Sequence, residues 1–510
     1  MASPNDPPAL ELASTLSSLV AQTTQDPRAQ IRTALSQGGT KIPILVALDD
    51  DPTGTQTCNG IPVLAVWDPA TLTAEFRRTR PGSGFFILTN SRALHPPQAR
   101  SLIREICSNL KAAAAEASVS FEVVLRGDST LRGHFPLECD VASEVLGEAD
   151  ATLLCPFFLQ GGRYTLGDVH YVASEDGKTL VPAAQTPFAR DATFGYANSD
   201  LREYVVEKSG GAIPRERVAS LPLEDTRAAD GVDRVLKRLL AVDRGSVVIV
   251  NAAAEEDVDV VVLALLRAAE EHGKRYLFRT GAAFVSSRLG ISPIPPISAQ
   301  QLKFTKDAGG LVIAGSYVPK TTAQLEALVH KSGDRLTTVV LDVEKLLEEK
   351  EKGVVTAEQG EVARAIEQAE KEITRGQDVL VMTSRKLVVG KDAAKSLDIG
   401  STVAAALVSF LVNLKTRPRY VIAKVCINYY WFPLPFITHA ISFILTSGTG
   451  RHHFLGHGQK VSGSNEQKSS ARQRPACLCG DATSRRANGV GSHTWSSRAM
   501  SAQPRPCLMW

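Results

Sequence analysis

Short β-branched runs alternate with amphipathic stretches along most of this chain, and that alternation restricts it to α/β architectures with buried parallel strands. The runs 42–48 (IPILVAL), 84–89 (GFFILT), 121–126 (FEVVLR), 151–155 (ATLLC) and 246–252 (SVVIVNA) are apolar on both faces, as strands covered by helices on each side must be. Pro97–Ala117, Gly231–Leu240 and Asp257–His272 space apolar residues three and four apart and predict the crossover helices. After a Pro-rich stretch at 292–298 (SPIPPIS), the pattern repeats, with strands at 310–315, 336–342, 378–384 and 419–424 and helices near 321–332, 357–374 and 401–415. The expected fold is two α/β domains with mainly parallel sheets. A length of 510 residues accommodates two large units.

Charge excludes some functions. Of 57 Lys/Arg and 54 Asp/Glu, nine and two lie in 425–510, which leaves 48 basic and 52 acidic groups in residues 1–424. Such a net-acidic body offers no general electrostatic reason to bind nucleic acid, so any anion site must be local. The tail also holds Cys426, Cys477, Cys479 and Cys507, five of ten histidines and three of four tryptophans, so composition changes abruptly at residue 425. Cys58, Cys107, Cys139 and Cys155 are scattered, without zinc-site pairs or disulfide density, which fits reduced thiols and a cytoplasmic protein. Residues 1–37 carry early acids and no apolar run, unlike a signal peptide. No Walker loop, dinucleotide fingerprint, His-Glu-x-x-His or nucleophile elbow occurs.

Three polar clusters follow strand ends, where ligands sit in parallel sheets. Asp49, Asp50 and Asp51 end the first run, and three adjacent carboxylates repel unless a cation or hydroxyl donor faces them. Capping by Asp51 or Thr53 is the structural alternative. Ser91 and Arg92 follow the second run, and an Arg fork suits a planar carboxylate. Arg126, Asp128, Ser129, Thr130, Arg132 and Gly133 follow the third: hydroxyls for substrate hydroxyls, a carboxylate for a proton, arginines for anionic oxygens. Together they predict a pocket for a small polyhydroxylated acid.

These segments, ALDDDPTG, SRAL and LRGDSTLRG, with PFFLQGGRYTLGDVHYV at 156–172, resemble the motifs of the four-carbon acid sugar kinases over residues 40–424. The resemblance implies a sugar-acid-binding domain at 40–295 after an N-terminal extension (1–39), and an incomplete nucleotide-binding domain at 296–424. It implies transfer of a phosphoryl group from ATP, with Mg²⁺, to the terminal hydroxyl of threonate, erythronate or a 3-oxo-tetronate. Partners would be the sugar acid and ATP, with no nucleic acid or membrane, and a homo-oligomer is admitted. Asp50 and Asp51 match the family's acidic pair, Arg92 its substrate-binding arginine, and Arg126 to Ser129 its Lys-x-Asp-Ser stretch, with Arg in place of Lys. Gly315 and Ser316 would meet ATP. Asp50 or Asp51 is the expected base, with Asp128 as the alternative; the metal ligands stay unassigned.

After residue 424 the family's GGITSSD segment is missing. Codons allowed for Gly450–Gly458 (GRHHFLGHG), shifted by one base, encode Gly-Gly-Ile-Thr-Ser-Ser-Asp-Met-Ala. Val425-Cys426 can be encoded with a splice-donor-like start, and Thr449-Gly450 can supply an acceptor. The expectation is a retained intron from about Val425 to Thr449, then a shifted frame, and a non-family tail over 425–510. The uncharged stretch 425–450 then needs no membrane, and Asn428, Pro433, Pro435 and His439 within it suit a span poorly. On this expectation the exact chain loses a wall of its ATP site, and a non-catalytic sugar-acid-binding protein is the alternative function.

Overall fold

A computed structural model describes residues 7–51, 54–295, 308–316, 319–353 and 359–424. The expected intron, shifted frame and tail over 425–510 lie outside the described residues, as does Thr53.

The first domain is built on eight parallel strands. Strands are numbered in chain order. Across the sheet they run Val218–Leu221 (β10), Ser246–Val250 (β11), Ala151–Cys155 (β6), Tyr276–Thr280 (β12), Phe121–Arg126 (β5), Ile44–Asp49 (β2), Gly84–Leu88 (β4) and Val63–Leu64 (β3). Every residue of β2, β11 and β12 is buried, because helices cover both faces. One face packs around Phe86, Val124, Phe157, Val250 and Phe284, the other around Phe76, Phe85, Ile103, Leu110 and Tyr204. The helices Pro96–Ala117, Gly231–Ala241 and Glu255–His272 lie within a few residues of the expected crossovers.

Two features were not expected from periodicity. β12 inserts between β5 and β6 at the centre of the sheet. A separate antiparallel sheet, Leu10–Glu11 (β1), Thr179–Pro182 (β9), Val169–Ala173 (β8) and Arg163–Leu166 (β7), stands beside it. Within the segment set apart by composition as an extension, β1 completes this sheet and helix Pro27–Gln37 buries Ile31. Arg28 Nε donates to Asp259 Oδ1 at 2.7 Å and Nη1 to the Ile291 carbonyl at 2.6 Å, so this helix is tied to the first domain.

The second domain has four described parallel strands in the order Leu336–Leu341 (β14), Asp378–Thr383 (β15), Leu311–Ala314 (β13) and Val421–Lys424 (β16). Helix Ala393–Asn413 is long and apolar enough to cross a membrane, but Val403, Ala404, Leu407 and Phe410 are buried against Val339, Leu341 and Val381 in the domain core. The four thiols of the first domain are free and buried, and burial pushes each of them up to about 12, so none is poised as a nucleophile.

Candidate functional site

The carboxyl ends of four neighbouring strands, β12, β5, β2 and β4, converge on one charged floor. β2 ends in Asp49, whose Oδ1 accepts from Arg126 Nη1 at 2.8 Å. Its backbone carbonyl accepts from the Thr89 amide at 3.0 Å and hydroxyl at 2.9 Å, which fixes the start of the turn carrying Ser91 and Arg92. Arg92 pairs with Asp51 and reaches Asp128 at 3.6 Å. Arg279, from the end of β12, binds Glu138 Oε2 at 2.7 Å, and Ser91 donates to the other Glu138 oxygen.

Asp50 differs from its neighbours. Arg126 and Arg279 each lie 3.9 Å from one of its oxygens, yet neither oxygen takes a hydrogen bond among the described residues. Burial drives its carboxyl up to about 6, against the opposing pull of Arg92, Arg279 and Arg126. Burial also raises Asp49, to about 7, despite Arg126. Asp128 goes the other way: burial alone would raise it, but Arg132, Arg92 and the Thr130 hydroxyl outweigh burial and hold it below the carboxylate range. Arg132 Nε binds Asp128 at 2.6 Å and Nη1 reaches Asp191 at 3.7 Å.

Two glycines make room for this packing. A Cβ on Gly54 would stand 2.3 Å from both Asp49 oxygens and Arg126 Nη1. Gly133 has φ +132°, and a Cβ there would stand 2.5 Å from Arg279 Nη2.

The loop after β5 is held through its backbone. The carbonyls of Ser129, Thr130 and Leu131 accept from His170 Nε2 at 2.8 Å, Tyr196 Oη at 2.9 Å and Tyr204 Oη at 2.8 Å. Since a carbonyl only accepts, His170 carries its proton on Nε2 and Nδ1 accepts from Thr165 Oγ1 at 3.0 Å. Burial lowers this imidazole to about 4 and keeps it neutral. The motif at 156–172 thus braces the motif at 126–133: His170 is the strut. Ser129 is buried, and Thr130 turns its hydroxyl to Asp128.

Asp50, Asp51, Arg92 and Arg132 open onto a cleft of about 1360 Å³ that the second domain closes. Gly315, Thr383 and Ser384 line the far side, with Val343, Leu387, Val388 and Val403 as its apolar wall. Gly315 follows β13 and reaches the cleft, whereas Ser316 is fully buried and its hydroxyl meets Thr321 at 3.1 Å. The volume exceeds what one small ligand fills and accommodates two. No group of three His, Cys, Asp or Glu residues placed to hold a metal occurs among the described residues.

Sequence reasoning placed Asp49 in the first cluster without giving it a role, and passed over Glu138, Arg163 and Arg279. A signal existed for Arg279: an arginine inside the apolar run YLFRT requires a buried partner.

The fold and site define a two-domain α/β protein with a charged cleft shared by both domains. Residues 45–288 match the family profile described as a sugar-binding N-terminal domain, and 311–423 the one described as a nucleotide-binding C-terminal domain. The chain belongs to the DUF1537, or four-carbon acid sugar kinase, family. No curated protein matches it. Among solved structures it is similar to a Bordetella bronchiseptica DUF1537 protein, a domain-swapped dimer with bound citrate (18% identity, 80% of this chain and 85% of that one, TM-score 0.37). It is also similar to a Haemophilus influenzae DUF1537 protein (15%, 79% and 88%, TM-score 0.42) and to a Salmonella typhimurium putative tRNA synthase (14%, 72% and 82%, TM-score 0.45).

Proposed function

We propose that this protein is a cytoplasmic ATP-dependent kinase of four-carbon acid sugars, acting on the terminal hydroxyl of threonate, erythronate or a 3-oxo-tetronate. The observation that carries this reading is Asp50: a buried carboxylate raised to about 6, without a hydrogen-bond donor of its own among the described residues, opening onto a cleft shared with the nucleotide-binding domain. A base with that affinity is largely ionised at neutral pH yet still accepts a proton from a hydroxyl under attack. Asp128, held ionised by two arginines, is the poorer acceptor and serves to orient substrate.

In the reaction Asp50 takes the hydroxyl proton as that oxygen bonds to the terminal phosphorus of ATP and the bond to ADP breaks. The arginines of the floor keep the cluster of carboxylates compatible with an anionic substrate. Gly315 and the apolar wall at Val343, Val388 and Val403 would receive the nucleotide. Mg²⁺ would arrive on the ATP phosphates, since no three-residue ligand set stands among the described residues.

The nucleotide-domain match ends at residue 423, next to the change in composition. This supports the reading that the transcript retains an intron at this point and that full activity needs the GGITSSD segment in frame. The test is ADP release from this chain and from the version spliced through GGITSSD, with threonate, erythronate and their 3-oxo forms. Turnover by the spliced version alone is expected. Sugar-acid binding without ADP release by either would replace the kinase with a non-catalytic binding protein.

A further inference from the structure

Every arginine on the charged floor is already engaged. Arg92 pairs with Asp51, Arg126 with Asp49, Arg132 with Asp128 and Arg279 with Glu138. A substrate carboxylate would have to compete with these internal carboxylates for any of them. Arg163, at the start of β7, lines the same cleft and has no carboxylate within 4 Å among the described residues. Its one hydrogen bond there is from Nη1 to the Gly161 carbonyl, and its Nε is buried with no acceptor. Nearby Arg190 also lines the cleft, but it is exposed and already solvated.

Packing fixes the direction of this guanidinium. Arg163 and Arg132 lie over the same ring, Phe188, at 5.6 and 5.1 Å from its centroid. The ring attracts each cation, but the two repel each other, so an anion placed beside them gains from both. The turn that follows β7 is anchored away from the cleft: Asp168 accepts from Asn251 at 2.8 Å and from Arg202 at 2.8 Å. Arg163 is therefore presented on a fixed strand.

We infer that Arg163 is the receptor for the substrate's carboxylate and the residue that selects sugar acids over neutral sugars. The inference rests on the sugar-acid reading above and deepens it. Arg92, the arginine marked by resemblance, then serves mainly to hold Asp51 and Asp128 in place.

The test is calorimetric titration of the full chain, without nucleotide, with threonate and erythronate and with the neutral alditols threitol and erythritol. Wild type is expected to prefer the acid by about 100-fold, as a charge-assisted fork would give. In Arg163→Met that preference should fall below about 5-fold while alditol affinity stays unchanged, which a merely structural role would not produce. Arg163→Lys should keep a preference but lose about 10-fold in acid affinity, because a point charge replaces the fork. If Arg163→Met does not fold, the Lys variant decides. Undiminished acid preference in Arg163→Met, or wild-type acid affinity in Arg163→Lys, overturns the inference and leaves the kinase reading standing. Wild type that binds neither acid overturns both.

Discussion

The two walls of the cleft are built on opposite principles. On the first domain, six carboxylates and five arginines gather at and around the strand ends, and most of them are joined by ion pairs. On the second, the described wall is mostly small and aliphatic, with Gly315, Thr383 and the exposed Leu387 and Val389, and its one charged group, Lys386, is paired with Glu344. A charged site pre-organised to receive a proton tolerates few substitutions, whereas an apolar wall that receives a flat ring tolerates many. Damage to the first wall should therefore cost chemistry, and damage to the second should cost affinity.

The strongest way to break this comparison is Asp50→Asn. In the version spliced through GGITSSD, turnover should fall by at least about 100-fold, the usual contribution of a general base, with little change in sugar-acid affinity. The same variant has a pH signature. Because burial raises Asp50 above its unfolded value near 3.9, the fold favours its protonated form; its contribution to stability is complete below about pH 4 and is lost as pH rises through about 6. The melting temperature of Asp50→Asn relative to wild type should therefore climb between pH 4 and 8, by a few degrees. Activity of the spliced version should move oppositely, rising through about pH 6 as Asp50 loses its proton. A profile flat from pH 5 to 8 would remove Asp50 as the base.

Gly54→Ala probes the same wall by shape. The added methyl would meet Asp49 and Arg126, so we expect a destabilisation of about 1–3 kcal/mol in urea unfolding and reduced turnover. A neutral result would mean that the floor yields more readily than its packing implies. Val388→Asp, on the opposite wall, should weaken ATP binding by about 10-fold and leave sugar-acid titrations unchanged, as burying a charge near the ring would require. The smallest effect should come from Ser316→Ala: its hydroxyl faces Thr321, so ATP affinity should change less than about 5-fold, the worth of one neutral hydrogen bond.

The same contrast explains what was legible in the sequence. Runs such as IPILVAL and FEVVLR announced β2 and β5 because a strand buried on both faces admits little besides aliphatic residues. Asp50, Asp51, Arg92 and Asp128 were legible because each follows such a run within a few residues, and parallel strands bring those ends together. β12 was not: five residues lodged directly between two helices leave no alternation to read, and its place between β5 and β6 is a matter of topology. Glu138 was hidden for another reason, since a carboxylate in a helix's first turn ordinarily reads as a dipole-facing surface charge. Ser316 was named through the likeness of GSYVPKTTAQ to the segment that opens the family's nucleotide domain; that its side chain is buried beside Thr321 lies beyond sequence pattern.

The antiparallel sheet that carries Arg163 comes from a single stretch inserted between β6 and β10, closed at its far edge by β1. None of its residues belongs to the strands that supply Asp50, Arg126 or Arg279. If Arg163 receives the carboxylate and Asp50 the proton, the two tasks are encoded in separate stretches of the chain. Substitutions confined to residues 159–194 that spared His170 and Asp191, which tie this insert to the loop after β5, could change the acid received at Arg163 while Asp50 and its arginines stayed as they are.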